Sequence, residues 1–229
     1  MPDAAEWEAA ANRGMTSLKE RKVYKLAPRK AVPPGRKRIK SKWVMKRKAD
    51  NSYKARLVAQ GWNQVHGLDC GSTFAPVCRL QSVRIFVAIT VEYDLDMDHM
   101  DVSTAFLYAD IQEKVFVEQA PGFVVKDKDG GDLVMQLEKS FYELAKSPGN
   151  WFHTIDPVPV EIGFVPLKSD TCVYVYNREG VKIILTLYVD DLFLAGNNAE
   201  TMALVNSQLK QLFEITDMGE ASLVLGIEI

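Results

Sequence analysis

The chain has 229 residues, 47% of them hydrophobic and 25% charged, a balance that suits a globular protein with one large core or two small ones. No run approaches the eighteen apolar residues of a membrane span, and the opening MPDAAEWEAA lacks a basic-then-apolar leader pattern, so no membrane partner is expected. Cys70, Cys78 and Cys172 are widely spaced with no CxxC pair and no His-Cys cluster, which predicts reduced, buried thiols in an intracellular protein and not a zinc site or disulfide frame.

Residues 1–20 read as a peripheral lead helix, with one further domain over 21–229. The net charge of -2 conceals an asymmetry, because fifteen of the 28 Lys and Arg lie between Arg21 and Arg56 beside a single acid, Asp50. With Tyr24, Trp43 and Tyr53 interleaved, the segment is either a surface for phosphate backbones or a solvated flank; charge alone leaves both open. Its second half reads as two extended runs around a turn at Asp50-Asn51. RLQSVRIFVAITVEYD follows as a helix with Val83, Phe86, Val87, Thr90 and Val91 on one face and Ser82 as its cap.

LDMDHMDV predicts a strand ending at Asp101, and STAFLYADI a helix begun by capping hydroxyls. KVFVEQ and LVMQLEK are short strands around the loop from Pro121 to Asp132. SPGNWFHTID carries a helix-start signature, with Ser147 as cap and Pro148 in the first turn. TCVYVYNREGVKIILTLYVDDLFLAG is a run of strands turning at Asn177–Gly180. AETMALVNSQLKQLF places Met202, Val205, Leu209 and Leu212 on one helical face, and ASLVLGIEI is a last strand. No βαβ rhythm or repeat is present, so the class is α+β.

Asp190 and Asp191 sit between two apolar strand-forming runs without the Gly or Asn of an ordinary hairpin turn. Carboxylates there are costly unless paired, metal-bound or at a surface. Neighbours on a strand face opposite ways, so both can serve one ligand only at a sharp strand–turn–strand tip. Mg²⁺ accepts one or two carboxylates, keeps waters and takes substrate phosphates, and Asp101 is the best candidate for a third carboxylate. The alternative is a doublet that merely caps a wet hairpin. His66, His99, His153, Trp43 and Trp62 carry no functional assignment.

LTLYVDDLFLAG and MDVSTAFL together resemble the palm of a reverse transcriptase. KSKWVMKRK, YKARLVAQGWNQVHGLD, TFAPVCRLQSVR, LEKSFYELAKSPGNW, GFVPLKSDTCVY and MGEASLVLGIEI narrow the resemblance to the Pol polyprotein of copia-type LTR retrotransposons (Pseudoviridae), from about residue 20 to the end. The resemblance implies a right-hand polymerase with a basic fingers part and a palm, thumb and RNase H being absent. It implies RNA-directed DNA polymerase activity on an RNA or DNA template–primer with deoxynucleoside triphosphates. Asp101, Asp190 and Asp191 would hold two Mg²⁺ ions, with Mn²⁺ as a substitute. Phe106 would exclude ribonucleotides, with a core aromatic as the alternative; Lys54, Arg56 and Tyr142 would contact substrate. Protease, integrase and RNase H would belong to the rest of the polyprotein, in a cytoplasmic retroelement particle.

FYELAKSPGN departs from the family pattern: Glu143 stands for Gly, Ala145 for Lys, Lys146 for Gln and Gly149 for Arg. A carboxylate at Glu143 would repel a triphosphate by on the order of 4 kcal/mol at a few ångströms and an effective dielectric near 20, unless Lys146 turned in to offset it. Pro157 and Pro159 would interrupt the next helix at about 3 kcal/mol each. The expectation is therefore a reverse transcriptase domain, either active or a degenerate inactive copy. Its alternatives are a non-catalytic nucleic-acid-binding remnant and a relic without a stable fold.

Overall fold

The computed structural model describes residues 3–48, 50–64, 73–220, 223–224 and 227–228. In chain order the elements are α1 (Ala4–Glu20), β1 (Tyr24–Pro28), β2 (Ser41–Arg47), β3 (Tyr53–Ala59), α2 (Leu80–Glu92), β4 (Asp96–Val102), β5 (Phe116–Val117) and β6 (Leu133–Leu137). There follow α3 (Ser147–Ile155), α4 (Pro157–Ile162), β7 (Val165–Pro166), β8 (Val173–Arg178), β9 (Val181–Tyr188) and β10 (Asp191–Gly196). The last are α5 (Ala199–Leu212), β11 (Ile215–Glu220), β12 (Leu223–Val224) and β13 (Ile227–Glu228). Helices and antiparallel strands mix without βαβ units, which makes the class α+β. Two compact units result, one of Met1–Phe74 with Phe106–Trp151, the other of Ala75–Ala105 with Phe152–Ile229.

The first unit holds two small sheets, β1-β6-β5 and the hairpin β2-β3. Lys46 pairs with Lys54, Val44 with Arg56 and Lys42 with Val58, so period-2 alternation puts Lys42, Lys46, Lys54 and Arg56 on one face of the hairpin. The other face carries Trp43, Ala55 and Leu57. Ala10 and Ala11 of α1 are buried with Ala55, and Met15 and Leu18 with Leu57. The lead helix is thus part of this unit's core rather than peripheral. The basic segment Arg21–Arg56 is not all hairpin either, because β1 pairs with β6 from Tyr24↔Leu137 to Pro28↔Leu133.

The second unit is a six-stranded antiparallel sheet, β11-β4-β10-β9-β8-β7. β8 and β9 meet at Glu179-Gly180, both at positive φ (51° and 85°), the two-residue turn whose twist matches a hairpin. β10 is buried along Leu192–Gly196, as its unbroken apolar run requires. α5 buries Met202, Val205 and Leu209, while Leu212, assigned to that face by spacing, is exposed in the last turn.

Several local expectations are corrected. α2 begins at Leu80, so Ser82 lies inside it; the buried Asp170 accepts from the Arg79 N–H (2.9 Å) and the Ser82 hydroxyl (2.6 Å) and satisfies the helix start from outside. Val91 points to solvent, and Val87 is half-buried. STAFLYADI makes only a 3-10 turn at Ala105–Tyr108. The Ser147 hydroxyl donates to the Phe141 carbonyl (2.6 Å) and accepts its N–H (3.0 Å), bracing a loop instead of capping α3. Pro157 and Pro159 fall in the first turn of α4, where N–H groups have no helical partner, so neither carries the interior penalty. The last strand is two short ones, β12 and β13, and the preceding residues add β11 to the edge of β4. Cys78 and Cys172 are buried free thiols, pushed up to about 12 chiefly by burial; Cys70 and His66 lie outside the described residues.

Candidate active site and nucleic-acid surface

β9 and β10 close with Tyr188 opposite Asp191, leaving Val189-Asp190 as the two-residue turn. Val189 takes φ 58°, a left-handed conformation that a β-branched residue rarely adopts and that Gly would occupy freely. Strain of this kind, of order 1–3 kcal/mol, gathers at sites where the surroundings dictate the backbone. Here the restraint comes from β4, because the Val102 N–H donates to the Asp190 carbonyl at 2.8 Å.

That bond also fixes the carboxylates. Asp191 is in register with Asp101, and Val102 and Asp190 form the adjacent, hydrogen-bonded pair. Asp101 and Asp191 are therefore a non-hydrogen-bonded pair, the kind whose Cα atoms approach to about 4.5 Å with side chains on one face. All three aspartates are partly exposed. The structure thus brings Asp101 and Asp191 together across two strands 90 residues apart in sequence. Asp190 lies in the turn itself, and among the described residues no three His, Cys, Asp or Glu side chains gather into a metal-holding group. The oxygen-only donors nevertheless suit Mg²⁺, which needs one or two carboxylates and fills its octahedron with water and phosphate.

His99, given no role from sequence, donates from Nε2 to Asp191 Oδ1 at 2.7 Å. The signal was the spacing of His99 and Asp101, two residues apart on one strand and hence on one face. Along the same sheet, burial and the neighbouring Asp217 raise the Asp98 carboxyl above the usual carboxylate range.

The substrate candidates of the first unit form their own cluster. The Arg56 guanidinium lies 5.7 Å from the centroid of the Tyr142 ring, and Phe106 meets that ring edge-on at 5.9 Å. Phe106 is half-buried while the adjacent Leu107 fills the core, so Phe106 is not simply a core aromatic. Lys54 shares the hairpin face of Arg56. The Tyr142 carbonyl accepts the Ala59 N–H at 3.0 Å, and the Ala145 N–H donates to Gln64 at 2.8 Å, tying the loop to the end of β3.

Glu143 follows at φ 62°, a position that Gly would occupy without strain. Its carboxylate is half-exposed and stands 3.8 Å from the Lys42 ammonium, so the repulsion expected from bare charges is screened. Lys146 does not turn to Glu143; it pairs with Glu113. Gly149 has little room for a side chain: a Cβ there would stand 3.0 Å from the Phe74 carbonyl.

A family model described as reverse transcriptase (RNA-dependent DNA polymerase) matches residues 21–229. The chain belongs to the reverse transcriptase family. The retrovirus-related Pol polyprotein from transposon TNT 1-94 of Nicotiana tabacum is 35% identical over 100% of this chain and 17% of its own length. That from transposon RE1 of Arabidopsis thaliana is 35% identical over 82% of this chain and 13% of its own. The Transposon Ty1-MR1 Gag-Pol polyprotein of Saccharomyces cerevisiae is 27% identical over 88% of this chain and 11% of its own. This reverse transcriptase chain is thus of the copia type and spans less than a fifth of those Pol polyproteins. A solved foamy viral protease–reverse transcriptase in complex with double-stranded DNA is similar at a TM-score of 0.47 and 9% identity, over 96% of this chain and 33% of that one.

Proposed function

We propose that residues 21–229 are the fingers and palm of an RNA-directed DNA polymerase, with residues 1–20 leading into them. The observation that carries this reading is the Asp101–Asp191 pair beside a strained hairpin tip, inside the motifs that resemble copia-type palms. Asp101, Asp190 and Asp191 would hold two Mg²⁺ ions, or Mn²⁺ in their place. Bound there, the ions supply charge stabilisation to the attacking and leaving oxygens of a phosphoryl transfer.

The chain's own residues provide binding and selection. Arg56, with Lys54 beside it on the hairpin face, offers charge-assisted hydrogen bonds to phosphate oxygens of the deoxynucleoside triphosphate or template. Phe106, braced edge-on by Tyr142, excludes a sugar bearing a 2′-hydroxyl. The template–primer is RNA or DNA, and protease, integrase and RNase H act elsewhere in the polyprotein, within a cytoplasmic particle. Among the described residues no helix is long and apolar enough to cross a membrane.

A second reading, a nucleic-acid-binding remnant without catalysis, is favoured by one observation, the strained and charged Glu143 in the substrate loop. Primer extension with Mg²⁺ or Mn²⁺ separates the two. Extension by the unmodified chain that is abolished by Asp191→Asn supports the polymerase; extension only after Glu143→Gly with Ala145→Lys locates the defect in the loop. Duplex binding with no extension by either chain leaves the remnant.

A further inference from the structure

We infer that His99 is a positioning residue for the Asp191 carboxylate, holding it in the orientation a divalent cation needs; this deepens, and rests on, the metal-dependent polymerase reading. An ionised carboxylate only accepts hydrogen bonds, so the 2.7 Å contact requires the imidazole to carry a proton on Nε2 and to donate it to Asp191 Oδ1. The bond commits one oxygen and leaves Oδ2 outside it.

The imidazole is itself held. His99 is the register partner of Phe193, and the two rings stack at 4.6 Å with planes 19° apart. Phe193 is buried in the middle of β10, so the stack rests on the core of the sheet. The ring therefore sits over its own cross-strand partner and reaches diagonally to Asp191, two residues along the same face. Asp101 is the residue opposite Asp191 on that face. An aspartate at a strand end otherwise turns about both side-chain bonds, and freezing that freedom at the moment of cation binding weakens binding. Partners of this kind behind ligating carboxylates commonly contribute 10–100-fold to metal affinity.

The test is Mn²⁺ titration of the intact chain by water-proton relaxation, with a thermal melt of every variant. His99→Phe keeps a ring over Phe193 but has no donor, His99→Ala removes both, and His99→Gln restores a donor of similar reach. We expect affinity to fall about 10–100-fold in the Phe and Ala variants and to recover in His99→Gln, with melting temperatures failing to track these changes. Equal affinity in all forms, tighter binding in His99→Ala, or no recovery in His99→Gln would overturn the positioning role. Asp191→Asn tells the two failures apart. Binding that is lost in Asp191→Asn yet indifferent to His99 keeps the metal reading and removes only the inference; an unmodified chain that binds no Mn²⁺ removes both.

Discussion

At the scale of single residues, the consequential side chains are those whose partners lie far along the chain. Asp170 is 7% exposed and accepts from Ser82, the Arg79 N–H, the Cys172 N–H and Cys78. Burial alone would raise its carboxyl, but these donors together hold it below the usual carboxylate range. Asp170→Ala should cost about 3 kcal/mol at neutral pH, since hydrogen bonds to charged groups contribute about 1.5–3 kcal/mol and buried donors would be orphaned. A depressed carboxylate stabilises the fold above its unfolded-state pKa, near 3.9, and loses that contribution as pH falls through the lower folded-state value. Urea melts of the parent and Asp170→Ala should therefore differ fully at pH 7 and draw together as pH falls below the unfolded-state pKa; a constant gap would refute the linkage. Glu143 presents the opposite case. Glu143→Gly relieves a left-handed backbone worth about 1–2 kcal/mol and gives up an exposed pair worth at most about 1 kcal/mol, so thermal melting should show a net gain of a few tenths to about 1 kcal/mol.

At the scale of elements, the joint between the end of β3 and the Phe141–Lys146 loop leaves no room for an added side chain. A Cβ on Gly61 would lie 1.9 Å from the Glu143 carbonyl, so backbone must move to admit any side chain. Gly61→Ala should destabilise by about 1–3 kcal/mol and disturb the Arg56–Tyr142–Phe106 cluster with it. Chemical denaturation checks the first effect; ribonucleotide discrimination in primer extension checks the second. Both failing would mean that the loop relaxes freely. The β9–β10 hairpin shows why its sequence looked wrong for a turn. Val189 adopts its unfavourable φ because β4 holds the next carbonyl, so a neighbouring strand dictates this turn, which local propensity does not.

At the scale of the whole molecule, two groups stand out among the fifteen basic residues of Arg21–Arg56. Arg29 and Arg38 both bond Glu118 at 2.8 Å, and Lys25 bonds Glu138 at 2.7 Å, so these charges serve the fold. Lys46, Lys54 and Arg56 share one face of the hairpin. Each phosphate contact to duplex DNA contributes a slope of about -0.9 in log affinity against log salt. Lys54→Ala with Arg56→Ala should thus flatten the slope by up to about 2, whereas Arg38→Ala should leave it unchanged and lower stability. Equal effects on the slope would erase the distinction.

The sequence alone determined the family, the α+β class, the β8–β10 strands and the α5 face apart from Leu212. Those features are local, written in short-range periodicity and contiguous motifs. Tertiary structure alone decided that β1 pairs with β6, that β11 flanks β4, and that Asp170 serves the start of α2. It also decided that Asp101 faces Asp191, and that His99 holds the latter. Each of these depends on hydrogen-bond register between segments tens of residues apart, and a register shift of one residue would turn every side chain to the opposite face. No local pattern encodes that choice; the packing of the whole sheet does.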